Sequence, residues 1–384
     1  MTTPDYAGGG ITNLMSSLVH GFDGVDTGYP PLRLLDGLDL GEWQSVVLLV
    51  IDGLGFNYLM ERGKGSCLKS NLAGAMTSVC PSTTTSAIPT FLTGLPPQQH
   101  GLTGWFTWFS EIGTILSVLP FKPRDHRIEQ WGDATPNQLV GVPPVFGRMA
   151  ANCSTVMPDR IADSAFNRAF SGTATVRPYK DIQGFCDQIV RAVSGSGRNY
   201  VYGYWPEFDG LAHGFGIKSG EVYAHFGLID RAVSSILRRL KKRKALLLVT
   251  ADHGFVDVMT EDRISLEQHP ELGRTLERPL CGEPRLAFCY VKPEHRASFE
   301  GYIIDRLDHC VLAKRSEELL GEGWFGRGTA HPQLRDRIGD YALIMKRNCI
   351  IKDTLPGESP FRQIGVHGGL SADEMYVPLI LLEP

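Results

Sequence analysis

The chain has 384 residues, of which 42% are hydrophobic and 21% are charged, fractions that exclude a disordered or fibrous protein. Lysine and arginine number 38 and aspartate and glutamate 42, so the formal net charge is −4. Proteins dedicated to nucleic acid usually carry a basic excess, and no nucleic-acid polymer is expected as a partner. At ~150 residues per domain, the length predicts two to three folding units or one large α/β domain with insertions.

Eight scattered cysteines bear on the cellular compartment. No two of them form a CxxC pair, which argues against a zinc ribbon or a redox pair and favours free thiols in a reducing compartment. Residues 1–16 are polar and glycine-rich and do not resemble a signal peptide. The longest aliphatic run, Val46–Ile51, is too short to cross a bilayer. We therefore expect a cytoplasmic protein without a membrane partner, and no pattern indicates an oligomeric state.

In chain order, the first forty residues look irregular because clusters of glycine and proline interrupt them. Apolar, often β-branched runs then predict strands at 46–51, 75–79, 200–204, 246–250 and 376–382. Apolar residues spaced three and four apart predict helices over 182–193 and 221–242. Strands that alternate with helices predict an α/β fold, with a mostly parallel central sheet flanked by helices.

The segment 256–361 is richer in charge, proline and glycine than its surroundings, and it holds two further strand-like runs. We predict that it forms a smaller cap inserted into the core. The predicted division is an irregular lead-in over 1–40, a catalytic core over 41–255 and 362–384, and a cap over 256–361.

Three acidic residues follow the ends of predicted strands. Asp52 and Asp252 come directly or almost directly after two of the runs, and Asp209 comes shortly after a third. Ligands of open α/β sheets bind at the carboxyl ends of the strands. The three carboxylates are therefore candidate ligands of one site.

Three histidines accompany these carboxylates. His213 stands four residues after Asp209, so that one helical turn or a tight loop can direct both side chains at one point. His253 follows Asp252 directly, and His367 lies shortly before the final run. Three carboxylates and three imidazoles suit two divalent cations, for which zinc is the favoured candidate and manganese and iron are alternatives.

A run of hydroxyl residues, Ser82–Ser86, follows the second predicted strand and precedes a helical stretch that begins near Ala87. Hydroxyl groups at a helix N-terminus lie where exposed N–H groups and the helix dipole favour an anion. A threonine hydroxyl is a poor nucleophile at neutral pH, but a bound cation would stabilise its alkoxide. The run therefore contains a candidate nucleophile.

The order of these residues resembles the alkaline phosphatase superfamily, and within it most closely the type I phosphodiesterases/nucleotide pyrophosphatases. The matching elements are Asp52, Pro81-x-x-Thr84, Asp209-x-x-x-His213, Asp252-His253-Gly254 and His367. The resemblance extends over roughly residues 45–384. The sulfatase branch matches less well, because it needs Cys-x-Pro-x-Arg, whereas Cys80 is followed directly by Pro81.

The resemblance implies a role for each matched residue. The implied nucleophile is Thr84, which stands three residues after the proline. One implied metal site consists of Asp209, His213 and His367. The other consists of Asp52, Asp252, His253 and the Thr84 oxygen.

One segment departs from the family pattern. These enzymes usually place an asparagine shortly after a His-Gly pair, where it holds a phosphate oxygen, but here Trp105 follows His100-Gly101. An indole can donate one hydrogen bond or stack on a base, but it cannot replace an amide. We predict Trp105 as a substrate-binding residue, with Trp205 and Phe208, which lie beside Asp209, completing the same wall. The alternative is that these aromatic residues belong to the core.

The resemblance implies a metal-dependent hydrolase of phosphodiester or pyrophosphate bonds in small, nucleotide-type phosphate esters. Thr84 would attack phosphorus on a two-metal site and form a phospho-enzyme intermediate. A second hypothesis is a phosphomonoesterase, phosphonate hydrolase or phosphotransferase of the same superfamily. Monoesters usually need an additional cationic group, and the sequence shows none near Thr84, which favours diesters. A third hypothesis is an inactive metal-binding homologue.

Overall fold

The computed structural model describes residues 1–384 and contains sixteen α-helices and eighteen β-strands. The helices are α1 (Ile11–Gly21), α2 (Phe56–Arg62), α3 (Cys67–Ser70), α4 (Thr84–Thr93), α5 (Pro97–His100), α6 (Pro136–Val140), α7 (Asp159–Ala162), α8 (Ala165–Ser171), α9 (Ile182–Val193), α10 (Glu207–Phe215), α11 (Gly220–Leu240), α12 (Pro270–Thr275), α13 (Arg296–Tyr302), α14 (Ser316–Gly321), α15 (Leu334–Ile338) and α16 (Ala372–Met375). The strands are β1 (Ser45–Ile51), β2 (Leu72–Thr77), β3 (Phe106–Phe109), β4 (Thr114–Ser117), β5 (Lys122–Pro123), β6 (Asn152–Pro158), β7 (Thr175–Tyr179), β8 (Asn199–Trp205), β9 (Ala245–Thr250), β10 (Val256–Asp257), β11 (Arg263–Ser265), β12 (Cys281–Glu283), β13 (Leu286–Cys289), β14 (Val311–Arg315), β15 (Tyr341–Met345), β16 (Ile350–Lys352), β17 (Gly365–Val366) and β18 (Tyr376–Leu382).

A seven-stranded sheet lies at the centre of the molecule, with the strand order β2-β18-β9-β1-β8-β6-β7. The strands from β9 to β7 in this order are parallel, whereas β18 runs antiparallel to both of its neighbours. Every residue of β1 and β9 is buried, as expected for strands covered on both faces. The α/β fold with a large sheet flanked by helices is therefore confirmed, and the sheet is mixed.

The two helices predicted from apolar spacing are α9 and α11. Each begins after a residue whose side chain accepts a hydrogen bond from a backbone N–H of the first turn, Asp181 for α9 and Ser219 for α11. The apolar face of α11 is buried, and α11 packs against α9, which in turn packs on β7 and β8. No helix in the structure combines the length and the apolar character needed to cross a membrane.

The prediction that residues 1–40 are irregular is wrong for the part that forms α1. Ile11, Leu14, Met15 and Leu18 recur at helical spacing and are buried in the main core. The glycines that precede α1 mark its boundary instead of a longer loop. The Gly10 N–H donates to the Asn13 side chain at 3.1 Å, so one free backbone donor at the helix start is satisfied.

A second seven-stranded sheet is antiparallel, with the order β14-β15-β13-β12-β3-β4-β5. Its strands β12 to β15 come from the predicted cap, and β13 and β15 correspond to the two strand-like runs there. Strands β3 to β5 come instead from residues 106–123, joined to the others where Gly282 pairs with Phe106. The 256–361 segment thus shares its sheet with an earlier part of the chain, and its boundaries as a cap remain a prediction.

A buried ion pair connects this second sheet to the edge of the central one. Arg285, in the turn between β12 and β13, donates to the two carboxylate oxygens of Glu374 at 3.0 and 2.8 Å. The two side chains are 1% and 0% exposed. Glu374 lies in α16 and also accepts from the Gly369 N–H at 2.8 Å, so the pair fixes the loop that follows β17.

We expect Glu374→Gln to lower the free energy of unfolding by about 3 kcal/mol, because it leaves the buried Arg285 charge without its counter-ion. Urea denaturation followed by circular dichroism measures this loss. Glu317→Gln is the matched control, since its ion pair with Arg335 is exposed and should contribute less than about 1 kcal/mol. Equal effects of the two substitutions would contradict the expectation.

Candidate active site

The central sheet brings the predicted acidic residues to one edge. β1 and β9 are neighbouring parallel strands, so Asp52 and Asp252, which follow them, leave the sheet at the same end. Both side chains are buried. Asp252 Oδ1 accepts from the Gly53 N–H at 3.0 Å, which ties the two strand ends together.

Asp209, His213 and His367 form a first cluster. Asp209 and His213 lie on successive turns of α10, and His213 Nε2 is 3.4 Å from Asp209 Oδ1. His367, just after β17, places its Nε2 3.2 Å from His213 Nε2 and 3.6 Å from Asp209 Oδ1. At the usual zinc–ligand bond lengths, tetrahedral ligand atoms lie ~3.3 Å apart. The three atoms are therefore spaced as ligands of one such cation.

Asp52, Asp252, His253 and Thr84 form a second cluster. His253 Nε2 is 3.2 Å from Asp52 Oδ1 and 3.5 Å from Asp252 Oδ2. Thr84 Oγ1 is 3.1 Å from His253 Nε2 and 3.4 Å from Asp52 Oδ1. These distances again match a set of ligand atoms. His253 Nε2 is 4.0 Å from Asp209 Oδ1, so the two clusters adjoin.

Unpaired polar atoms in both clusters fit a bound cation. Asp209 Oδ1 and Asp252 Oδ2 are buried and have no hydrogen-bond partner. Buried polar atoms are almost always paired, so unmatched atoms that converge with imidazole nitrogens fit the ligand set of a cation. The groups Asp209–His253–His367 and Asp52–Asp252–His253 each have ligand atoms that lie within 4.8 Å of one another.

Two of the three histidines, His213 and His253, are oriented by backbone carbonyl groups. His213 Nδ1 is 2.8 Å from the Gly365 oxygen, and His253 Nδ1 is 3.1 Å from the Gly254 oxygen. A carbonyl only accepts, so each Nδ1 carries the proton that it donates. The lone pair is then on Nε2, the atom that faces the clusters, which is the arrangement of metal-binding histidines.

The electrostatics of the clusters also favour cations. Burial raises the pKa of Asp52 to about 6, and burial together with repulsion from Asp52 raises the pKa of Asp252 to about 7. Burial is likewise the main cause that raises the pKa of Asp209 and lowers that of His213 to about 4. Three carboxylates this close disfavour one another's charge, and divalent cations would remove that penalty.

The geometry selects one hydroxyl from the Ser82–Ser86 run. The helix α4 begins at Thr84, earlier than the predicted start near Ala87, with Thr83 as the preceding cap residue. Thr83 Oγ1 donates to Glu283 at 2.7 Å, and Thr85 Oγ1 is buried without a partner. Thr84 alone among these threonines directs its hydroxyl at the carboxylate and imidazole clusters.

Tyr204 is a site residue that no sequence pattern indicated. Its hydroxyl donates a hydrogen bond to Asp52 Oδ2 and so orients that carboxylate. Tyr204 lies on β8, opposite Val50 of β1 in the sheet register. Only the pairing of these strands places the phenol beside Asp52, and pairing is not visible in a single strand's sequence.

A cavity of about 410 Å³ opens onto this site. It is lined by Thr84 together with the first cluster, Asp209, His213 and His367. Trp105 also lines it and is 38% exposed, in agreement with the predicted location, and its role in binding remains a prediction.

The predictions for Trp205 and Phe208 are wrong, because neither residue lines the cavity. Trp205 is 4% exposed, stacks on Tyr179 and donates from Nε1 to His225. Phe208 is fully buried in the main core. Phe208 precedes Asp209 on α10, where successive side chains point ~100° apart, so it faces away from the site when Asp209 faces it. Trp205 is the last residue of β8, and its ring packs against Tyr179, Phe185 and His225.

Cationic side chains also line the cavity, although the sequence showed none near Thr84. They are Lys352, at the end of β16, Arg124 and Arg362. They lie far from Thr84 along the chain and reach the cavity through the second sheet and the 350–363 segment. No motif marks them, so only the tertiary structure reveals this proximity.

Comparisons with known proteins agree with this geometry. The family model described as type I phosphodiesterase/nucleotide pyrophosphatase matches residues 46–368. No curated protein sequence is similar enough to count as a match. Murine ectonucleotide pyrophosphatase/phosphodiesterase 5 has a similar structure, with a TM-score of 0.66, 19% identity and 88% of each chain covered. Its human counterpart has a TM-score of 0.63 and 18% identity, with 88% of each chain covered.

A phosphonoacetate hydrolase from Sinorhizobium meliloti 1021, solved with phosphonoacetate, is also similar in structure. Its TM-score is 0.66 at 15% identity, covering 88% of this chain and 90% of that one. Identities this low establish the fold alone, whereas the family model spans most of the chain. The resemblance to this family seen in the sequence is thus confirmed: the chain belongs to the type I phosphodiesterase/nucleotide pyrophosphatase family of hydrolases.

Proposed function

We propose that this chain is a metal-dependent hydrolase that uses Thr84 to cleave phosphodiester or pyrophosphate bonds in small, nucleotide-type substrates. The observation that carries the proposal is the convergence on Thr84 Oγ1 of His253 Nε2 at 3.1 Å and Asp52 Oδ1 at 3.4 Å, beside the first cluster in one cavity. Among the similar structures, an inactive variant of the murine enzyme was solved with AMP, which is in keeping with a nucleotide-type substrate.

The two clusters are the proposed holders of two divalent cations, with Asp209, His213 and His367 for one and Asp52, Asp252, His253 and the Thr84 oxygen for the other. Bound cations supply electrostatic stabilisation of the transferred group and favour the Thr84 alkoxide. Zinc suits the mixed nitrogen and oxygen donors best, and elemental analysis of the purified protein tests its identity. A cytoplasmic location fits the eight free cysteines, and cell fractionation tests it.

The chain's own residues define the reaction. Thr84 is the first residue of α4, so free N–H groups of the helix start favour the anionic phosphoryl group at this point. The Thr84 hydroxyl gives its proton to water, its oxygen forms a bond to phosphorus while the bond from phosphorus to the leaving oxygen breaks, and the leaving oxygen takes a proton from water. A second water then forms a bond to phosphorus while the bond to the Thr84 oxygen breaks, and a proton of that water restores the Thr84 hydroxyl. Tyr204 keeps Asp52 in place throughout.

Hydrolysis of phosphomonoesters or phosphonates is a second candidate function. Lys352 provides the cavity with the kind of group that a more highly charged substrate needs. The similar phosphonoacetate hydrolase acts on a phosphonate, as its name states. However, the hydrogen-bond partners of the Thr84 hydroxyl are Asp52 and His253, and neither is a lysine or an arginine.

A matched pair of substrates separates the two candidates. We expect kcat/KM for bis(4-nitrophenyl) phosphate to exceed that for 4-nitrophenyl phosphate by at least about tenfold, because no lysine or arginine side chain bonds to the Thr84 hydroxyl to offset a monoester's additional charge. Release of 4-nitrophenol measures both rates. A preference for the monoester would favour the second candidate, and no turnover of either ester, nor of a phosphonate, would indicate the inactive homologue.

A further inference from the structure

Lys352 is a cation in the cavity that has no hydrogen-bond or ion-pair partner in the chain. It is half-buried at the end of β16 and lines the same cavity as Thr84. Its ammonium group makes no hydrogen bond or ion pair, and it lies over the ring of Phe361, 4.6 Å from the centroid. Lysine side chains that lose water on folding are usually paired. An ammonium group with three donors and no protein acceptor therefore requires an explanation.

Two nearby carboxylates are occupied by Arg124. The Arg124 guanidinium donates to Asp353 Oδ1 at 2.7 Å and to the two oxygens of Glu358 at 2.9 and 3.1 Å. The remaining Asp353 oxygen accepts from the Leu280 N–H at 2.9 Å. The Arg124 side chain is 1% exposed, so this arrangement is part of the packed structure. Neither acid offers Lys352 a free oxygen in this arrangement.

The third nearby carboxylate, Glu283, binds Thr83, the residue before the nucleophile. Its Oε1 accepts from Thr83 Oγ1 and from the Trp105 N–H, each at 2.7 Å. Arg362, which is exposed and lines the cavity, also has no ion pair. The cavity thus contains two cations that the protein leaves unpaired, and one of them is held in place by partial burial.

We propose that Lys352 binds a second anionic group of the substrate, a carboxylate or a phosphate, apart from the phosphoryl group that Thr84 attacks. The substrate is accordingly a phosphoester or phosphonate that carries a further negative charge. A cavity of about 410 Å³ that holds both Thr84 and Lys352 is large enough for such a molecule. This inference rests on the proposed function, because it uses Thr84 as the point of attack.

Binding to the Thr84→Ala variant tests Lys352 without turnover. The probes are phenyl 4-carboxyphenyl phosphate, its methyl ester, which lacks the carboxylate charge, and the analogue with a phosphate in place of the carboxylate. We expect the metal-loaded variant to bind at least one charged probe about tenfold more tightly than the methyl ester, the effect of one charge-assisted hydrogen bond. Calorimetry measures the three dissociation constants, and the tighter of the two charged probes identifies the anion.

Additional substitutions in the same background assign the preference to Lys352. Lys352→Met should abolish it, Lys352→Arg should retain it, and Lys241→Met, an exposed lysine beyond α11, should leave it unchanged. Equal binding of the probes with and without the second anionic group, no binding of any probe, or a preference that survives Lys352→Met would overturn the assignment. Absence of turnover by the wild-type protein would instead contradict the proposed function, whatever the binding data show for Lys352.

Discussion

Replacing Thr84 with alanine should reduce kcat by at least about 10³-fold, because loss of a nucleophile removes the covalent route. The fold should be unaffected, since Thr84 is the first residue of α4 and its hydroxyl does not cap the helix. Metal content should also remain, because the other three members of the second cluster, Asp52, Asp252 and His253, are still present. Initial rates with a diester, together with elemental analysis and circular dichroism, measure the three properties.

Two conservative substitutions make this experiment specific. Thr84→Ser keeps a hydroxyl at the same point and should retain measurable turnover. Thr85→Ser removes only a methyl group from a neighbouring buried threonine whose hydroxyl is not directed at the clusters, so activity should stay near that of the wild type. Full activity of Thr84→Ala would refute the proposed nucleophile.

Replacing His253 with alanine should remove bound metal and, with it, activity. His253 Nε2 lies within 3.5 Å of Asp52, Asp252 and Thr84 and 4.0 Å from Asp209, so it is central to the second cluster and adjoins the first. Loss of a group that only orients a ligand weakens metal binding by 10–100-fold, and loss of a ligand should weaken it by more than about 100-fold. Elemental analysis after dialysis measures the retained metal.

Thermal unfolding gives a second measurement for this variant. A ligand present at a hundredfold excess over its Kd stabilises a protein by about 2.7 kcal/mol, so a chelator should lower the Tm of the wild type. The same chelator should shift the Tm of His253→Ala much less. His269→Ala is the control, because His269 bonds to Tyr302 outside the cavity and should keep the wild-type response. Unchanged metal content in His253→Ala would show that His253 is not a ligand.

Local patterns predicted a large part of the fold. The uninterrupted apolar runs of β1 and β9 indicated strands buried on both faces, and the spacing of apolar residues indicated α9 and α11, because each pattern directly reflects which side chains contact the core. The glycines before α1 predict an irregular lead-in, whereas the short apolar face that follows them forms a buried helix. Of the antiparallel sheet, the sequence predicted only the strands β13 and β15. Strands β3 to β5 join this sheet from a distant part of the chain, which no local pattern indicates.

The sequence by itself determined the order and chemistry of the clustered residues. Carboxylates and histidines follow strand ends, and the carboxyl ends of parallel strands meet at one edge of a sheet, so their convergence follows from the fold class. The tertiary structure alone decided which way Trp205 and Phe208 face, that Tyr204 supports Asp52, and that Lys352 shares a cavity with Thr84. These relations depend on contacts between segments distant in the chain, and such contacts leave no periodic pattern in either segment.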